Sequence, residues 1–186
     1  MDSIIIGGAM ANTFLFSKGF SVGRSLVEES LKPTALRILN KAEKYSCEII
    51  LPTDLVIAKE LSENTPTLVV SANKCPEKYM ILDAGPSTLD NIKKCINSAK
   101  TLLWNGPLGA FEVTPFDQAT NQAAKFASQK TKNGDLISVA GGGDTIAALN
   151  KAGATDSFTY VSTAGGAFLE WLEGKELPGV VCLTKN

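Results

Sequence analysis

The chain has 186 residues, 44% of them apolar and 20% charged, with a net charge of −1 and no histidine. That length suits one domain with at most a small subdomain, and near neutrality offers no basic excess to draw nucleic acid or an anionic membrane surface. No apolar run is long enough to span a bilayer and no leader-like n-region is present, so the reading is a soluble, cytoplasmic protein.

In chain order, Ser3-Ile4-Ile5-Ile6 reads as a strand that starts almost at Met1, followed by a helical stretch with Ala11, Phe14 and Leu15 at helical spacing. A chain that opens on a buried-type strand suggests a preceding segment. Ser30 to Lys44 reads as a helix with Leu31, Ala35, Leu39 and Ala42 on one face and Pro33 tolerated in the first turn. Cys47 to Leu51 follows as a strand. Three short β-type runs, Leu55 to Ala58, Thr67 to Val70 and Tyr79 to Leu82, are separated by polar turns rather than helices, which predicts an antiparallel flap.

Ser87-Thr88-Leu89-Asp90 has capping-box character, and Leu89, Ile92 and Ile96 mark the inner face of the helix it opens. After the strand Leu102-Leu103-Trp104, Thr114-Pro115 is expected to start a helix with Thr114 as N-cap, running to about Gln129. Strand 136–140, helix 144–151, strand 159–163 and helix 166–173 complete a β/α alternation, which argues for a parallel sheet between helices.

Four of these apolar runs end in glycine: Gly7-Gly8, Asn105-Gly106-Pro107-Leu108-Gly109, Gly141-Gly142-Gly143-Asp144-Thr145 and Ala164-Gly165-Gly166. In an open parallel sheet the carboxyl ends of the strands share one edge, so these turns converge on a crevice suited to a nucleotide. Glycine lets backbone approach a phosphate, and a helix opening there presents free N–H groups and a positive dipole end. Asp144 then sits where a cation would be held, or serves simply as an N-cap. Neither Gly-x-x-x-x-Gly-Lys-Ser/Thr nor Gly-x-Gly-x-x-Gly occurs. Glu28, about twenty residues after Gly8, has the spacing of an acid that grips ribose in dinucleotide folds, which keeps that alternative open.

The four cysteines, Cys47, Cys75, Cys95 and Cys182, form no Cys-x-x-Cys pair, which disfavours zinc sites and redox pairs. Without histidine, Ser-His and Cys-His triads are excluded within the chain, and chemistry here must work by positioning and electrostatics.

Taken in order, Ile5 to Phe14, Leu103 to Glu112, Ala140 to Thr145 and Gly165 to Glu170 resemble the signature segments of phosphoglycerate kinases, and the likeness covers essentially the whole chain. The resemblance implies that residues 1–186 are part of the C-terminal, nucleotide-binding domain of a two-domain glycolytic kinase. That enzyme moves phosphate between 1,3-bisphosphoglycerate and MgADP, giving ATP. It further implies that Gly142, Gly143, Asp144 and Thr145 line the phosphates, with Asp144 holding Mg²⁺ directly or through water. Glu112 would accept both ribose hydroxyls, Asn105 and Pro107 would lie beside phosphates and ribose, and Gly7, Gly8 and Leu82 would wall the adenosine. Gly165 and Gly166 would stabilise charge on the phosphoryl group in transit.

Two departures from the pattern are Ala9, where a third glycine is common, and Ala164, where the family has the first glycine of a triplet. The family's substrate-binding N-terminal half and its lysine-bearing Gly-Gly-Ala-Lys segment have no counterpart here. By the resemblance, 3-phosphoglycerate is reached only through that missing half, the full-length enzyme is a monomer, and the isolated chain is inactive. The remaining alternative is a non-catalytic interaction fragment. The implied fold is a three-layer α/β/α Rossmann-like sheet of order 3-2-1-4-5-6 that lacks its central first strand. Strands 3–6 and 101–104 are then expected to be separated by a gap or forced into a non-family pairing, either of which marks the chain as a fragment.

Overall fold

The computed structural model describes residues 1–162 and 166–184. β1 (Ser3–Ile5) leads into α1 (Gly8–Ser17), a short 3₁₀ turn (Glu29–Leu31) and α2 (Lys32–Lys44), and β2 (Glu48–Ile50) returns parallel to β1 with Ser3, Ile4 and Ile5 opposite Glu48, Ile49 and Ile50. Three strands then form an antiparallel sheet of order β4-β3-β5: β3 (Asp54–Ala58), β4 (Leu68–Ser71) and β5 (Met80–Ala84). After α3 (Pro86–Ser98) come β6 (Thr101–Asn105), α4 (Gln118–Lys132), β7 (Ile137–Gly141), α5 (Gly143–Ala152) and β8 (Tyr160–Ser162). Two short helices, α6 (Ala167–Leu172) and α7 (Pro178–Thr184), follow.

β6, β7 and β8 pair in parallel in that order. The expected flap and the expected β/α alternation are both present, and the whole is a Rossmann-like α/β fold. Among the described residues the parallel sheet is interrupted: β1 pairs only with β2 and β6 only with β7, so the gap, and not a direct pairing, separates the two halves. The halves still meet at their ends. Gly8 N–H donates to Leu108 O at 2.9 Å, and Ser3 Oγ lies 3.2 Å from Cys95 Sγ.

The largest core cluster lies under β6, β7 and the helices α3, α4 and α5. The inner face read for α3 is correct, with Leu89, Ile92 and Ile96 all buried. Ala119, Ala123, Ala124 and Ala127 of α4 are buried as well, and their small side chains let that helix lie close to β7 and touch α3 and α5. Trp104 and Phe158 pack at 6.3 Å between ring centroids, a tilted arrangement that suits their quadrupoles. A second cluster under the flap joins Leu15, Val22, Leu55 and Ile57, and a third joins Ile6, Ala11, Phe14 and Ala35. In α2 the predicted face is occupied by Ala35 and Ala42, whereas Leu31 belongs to the preceding turn and is exposed.

Two helix starts differ from the reading of local sequence. α3 begins at Pro86 with Gly85 at the N-cap, and its free amides are met by Asp54 of β3: Ser87 N–H donates to Oδ2 at 3.0 Å and Thr88 N–H to Oδ1 at 2.7 Å. The expected capping box is therefore replaced by a carboxylate more than thirty residues away. Likewise Thr114 is not an N-cap. Val113 to Phe116 close a turn through Phe116 N–H to Val113 O at 2.8 Å, which drives Phe116 into full burial and delays α4 to Gln118. Asp83 of β5 accepts from Ala119 N–H at 2.9 Å, so a flap strand again serves a helix of the neighbouring layer.

Candidate functional site

The parallel register sets the site. Asn105 stands opposite Gly141, and Gly141 opposite Ser162, so the carboxyl ends of β6, β7 and β8 finish on one row. This is the edge at which open α/β sheets receive ligands.

From that row, Gly142 turns the chain with φ +95°, a conformation L side chains rarely adopt, and becomes the N-cap of α5. A Cβ there would stand 3.1 Å from Asn105 Oδ1, so the two predicted residues are held face to face. Thr145, almost fully buried, accepts Gly106 N–H at 2.6 Å and ties the first turn of α5 to the loop after β6. The Trp104 indole N–H donates to Gly106 O at 2.7 Å, so the same loop is anchored from the core side.

Gly143 and Asp144 are exposed at the head of α5. No side chain caps that helix, and Asp144 is neither the N-cap nor hydrogen-bonded among the described residues, so the simple capping role does not apply to it. What remains is a free carboxylate beside a ring of unpaired amide donors. An arrangement of this kind can take an anion at the backbone and a cation at the side chain.

Five further predicted positions, Gly7, Gly8, Leu82, Pro107 and Glu112, meet around the loop after β6. The Gly7-Gly8 turn is fixed to it by the bond to Leu108 O, and Leu82 O accepts Ala110 N–H at 2.8 Å. Pro107 lies within this loop next to Gly8, whose Cβ position would be 3.5 Å from Pro107 O. Glu112 is exposed at its far side, with no side-chain partner among the described residues. Gly166 is exposed in the turn before α6, where it accepts Glu170 N–H at 3.0 Å, while Gly165 lies outside the described residues.

The loop is held from below by charged residues that the sequence reading did not single out. Asp83 follows Leu82 in β5 and is 2% exposed, with Ala84 N–H and Ala119 N–H on its two oxygens. Burial pushes its carboxyl up to about 7, against those two amide bonds and with help from the neighbouring Asp117 charge. Gly109 packs directly on Asp83, and any Cβ at that position would clash with Oδ1. Asp117 pairs with Lys151 of α5 at 3.0 Å. Burial pushes Asp117 upward, but the Lys151 hydrogen bond and charge outweigh it and hold the carboxyl below its usual range. An acid ending the β-type run 79–82 was the available signal for Asp83; for Lys151 there was none.

A cavity of about 300 Å³, mostly apolar, opens beside the first turn of α1 and is lined by Met10, Thr13, Leu26, Val27, Glu28 and Leu31 among others. Glu28 thus faces this cavity rather than the row of strand ends. Among the described residues no group of three or more His, Cys, Asp or Glu is placed to hold a metal.

A sequence profile described as phosphoglycerate kinase matches residues 1–175. The phosphoglycerate kinase of Rhodopseudomonas palustris is 57% identical over 183 residues, covering 98% of this chain and 46% of that protein. That of Methylobacterium radiotolerans is 59% identical with the same coverage of each. Among solved structures, phosphoglycerate kinase from Coxiella burnetii superposes with a TM-score of 0.92 at 42% identity over 97% of this chain and 46% of its own. The Pyrococcus horikoshii enzyme gives 0.79 at 28% identity, covering 98% and 45%. The chain therefore spans about half the length of the relatives it matches.

Proposed function

The chain belongs to the phosphoglycerate kinase family, and from that premise we propose that it is the part of a C-terminal domain that binds MgADP or MgATP. The observation that carries this reading is the single row formed by Asn105, Gly141 and Ser162, with the Gly142-to-Thr145 helix start and the Gly7-Gly8 turn brought against it. Gly142 and Gly143 present backbone donors to the phosphates, and Thr145 lines them from beneath by holding Gly106 N–H of the loop after β6. Asp144 holds Mg²⁺ directly or through water. One exposed carboxylate suits an ion that would keep several of its waters.

Glu112 accepts the ribose hydroxyls, with Asn105 and Pro107 between ribose and phosphates. Gly7, Gly8 and Leu82 wall the adenosine, and the apolar cavity beside Met10 and Leu26 extends that wall for the base. Gly165 and Gly166 stabilise the oxygens of the phosphoryl group in transit. The magnesium, when bound, neutralises charge shared between the phosphates; the residues named here position and orient.

In this reading the whole enzyme transfers a phosphoryl group between 1,3-bisphosphoglycerate and ADP. The chain alone does not turn over 3-phosphoglycerate, because phosphoryl transfer needs cations on the transferred oxygens and none of the four glycine turns that follow the strands is followed closely by lysine. Calorimetric titration with MgADP tests the binding. Heat that saturates below millimolar nucleotide supports it, and silence from a sample that melts cooperatively overturns it. Tighter binding of NAD than of ADP would favour the dinucleotide alternative, in which Glu28 grips a ribose. A coupled assay with 3-phosphoglycerate and MgATP tests the inactivity, and turnover near that of a full-length relative would refute it.

A further inference from the structure

Lys151 lies seven residues after Asp144 on α5, hence two turns along the same face of that helix. Its ammonium reaches away from the strand ends to the loop after β6. Nζ donates to Phe111 O at 2.8 Å and to Glu112 O at 3.4 Å, and pairs with Asp117 Oδ2 at 3.0 Å. Two carbonyls and one carboxylate match the three donors of an ammonium group.

The acceptors are themselves well held. Asp117 is 4% exposed and also receives Asn121 Nδ2 at 3.0 Å, and Phe111 is buried. Glu112, by contrast, projects a free side chain, so its direction is set by its backbone alone. Phe111 N–H bonds only within the loop, to Gly109 O at 2.8 Å, as does Val113 N–H, to Ala110 O at 3.1 Å. Lys151 is thus the side chain through which the Phe111–Glu112 turn is tied to α5.

We propose that Lys151 is a positioning residue that fixes the carboxylate of Glu112 relative to the head of α5, so that ribose and phosphates are recognised by one rigid unit. The proposal rests on the nucleotide reading above. Two hydroxyls accepted by one carboxylate require both oxygens in place together, and a shift of about 1 Å in the turn forfeits the pair.

The test is the ratio of affinities for MgADP and Mg-2′,3′-dideoxy-ADP, measured by calorimetry on the 186-residue chain. Wild type should favour ADP by roughly tenfold or more, the scale of two charge-assisted hydrogen bonds. Lys151→Met should bring the ratio below about threefold while changing the affinity for magnesium tripolyphosphate by less than about twofold; Lys151→Arg, which can still meet carbonyls and Asp117, should restore most of the ratio. Should Lys151→Met fail to melt cooperatively, Asp117→Asn removes the ion pair and is read the same way. A ratio kept by the Lys151 or Asp117 variant but lost in Glu112→Ala overturns the positioning role. Failure of the nucleotide reading is seen separately, in a wild-type chain that binds no MgADP or does not discriminate, and the role assigned to Lys151 falls with it.

Discussion

The two halves of the interrupted sheet are built from equally apolar strands, yet they are buried very differently. In the β6-β7-β8 half, Trp104, Ser138, Ala140, Gly141 and Ser162 are all buried, and α3, α4 and α5 close over one face. In the β1-β2 half not one strand residue is buried, and Ile4 is 36% exposed. What differs is neighbours. β7 has a strand on each side, whereas β1, among the described residues, pairs with β2 alone. Parallel strands are normally covered on both faces and both edges. An Ile-rich run therefore states a capacity for burial, and the fold decides whether it is used.

The first way to break this contrast is to make the same cut on both sides. Ile96→Ala, in the large cluster of the better covered half, should cost about 2–5 kcal/mol, and Ile6→Ala, in the small cluster beside β1, at least about 1 kcal/mol less. Urea denaturation of both variants reads the difference, and equal costs would mean that the β1-β2 half is as tightly packed as its partner.

The second concerns Asp83, which serves α4 from the flap. Its folded carboxyl titrates near 7 against 3.8 for the free group. A raised acid contributes stability below the unfolded value that is lost as pH climbs toward the folded one. Stability should therefore decline between about pH 4 and pH 7, and Asp83→Asn should flatten that decline. Wild-type and Asp83→Asn profiles that run parallel across this window would overturn the assignment to Asp83.

The smallest effect is expected at Asp54, where the carboxylate caps α3 through Ser87 and Thr88. Burial raises its carboxyl, but the Thr88 hydroxyl and the two amides prevail and hold it below 3.8. Here the sign reverses: the contribution is present above the unfolded value and lost as pH falls through the folded one. Asp54→Ala should cost about 1 kcal/mol at neutral pH and little in strong acid. A pH-independent loss would point to packing rather than to the charged cap.

Element order and type were legible because period and glycine punctuation are local properties: α3 shows its face in Leu89, Ile92 and Ile96, and the flap shows itself in the absence of helical spacing from 55 to 82. The helix starts at 86 and 118 were not, because their caps come from Asp54 and Asp83, which the chain brings near only after the flap has folded. Of the proposed site, the turn geometry was legible where backbone makes it, at Gly142 and Gly7-Gly8, since glycine before a helix is a written signal. Lys151 was illegible because nothing within α5 marks it; its partners are set by where the loop after β6 comes to rest. The interruption of the sheet was foreseen only through the likeness to a family.

The alanines of α4 carry a consequence for which changes the molecule tolerates. With Ala119, Ala123, Ala124 and Ala127 all at 2% exposure or less, their methyl groups set how closely that helix lies against β7, α3 and α5. A residue trimmed to glycine leaves a shallow void, but one enlarged to valine or leucine acts as a wedge. Because the head of α4 carries Asp117, prying the helix outward would drag Lys151's anchor with it and disturb the loop after β6 from a distance. Variation along this stripe should consequently be narrow, costing about 1 kcal/mol or more where glycine replaces an alanine within the helix and more where a larger side chain does, even though none of the four alanines lies in the proposed site.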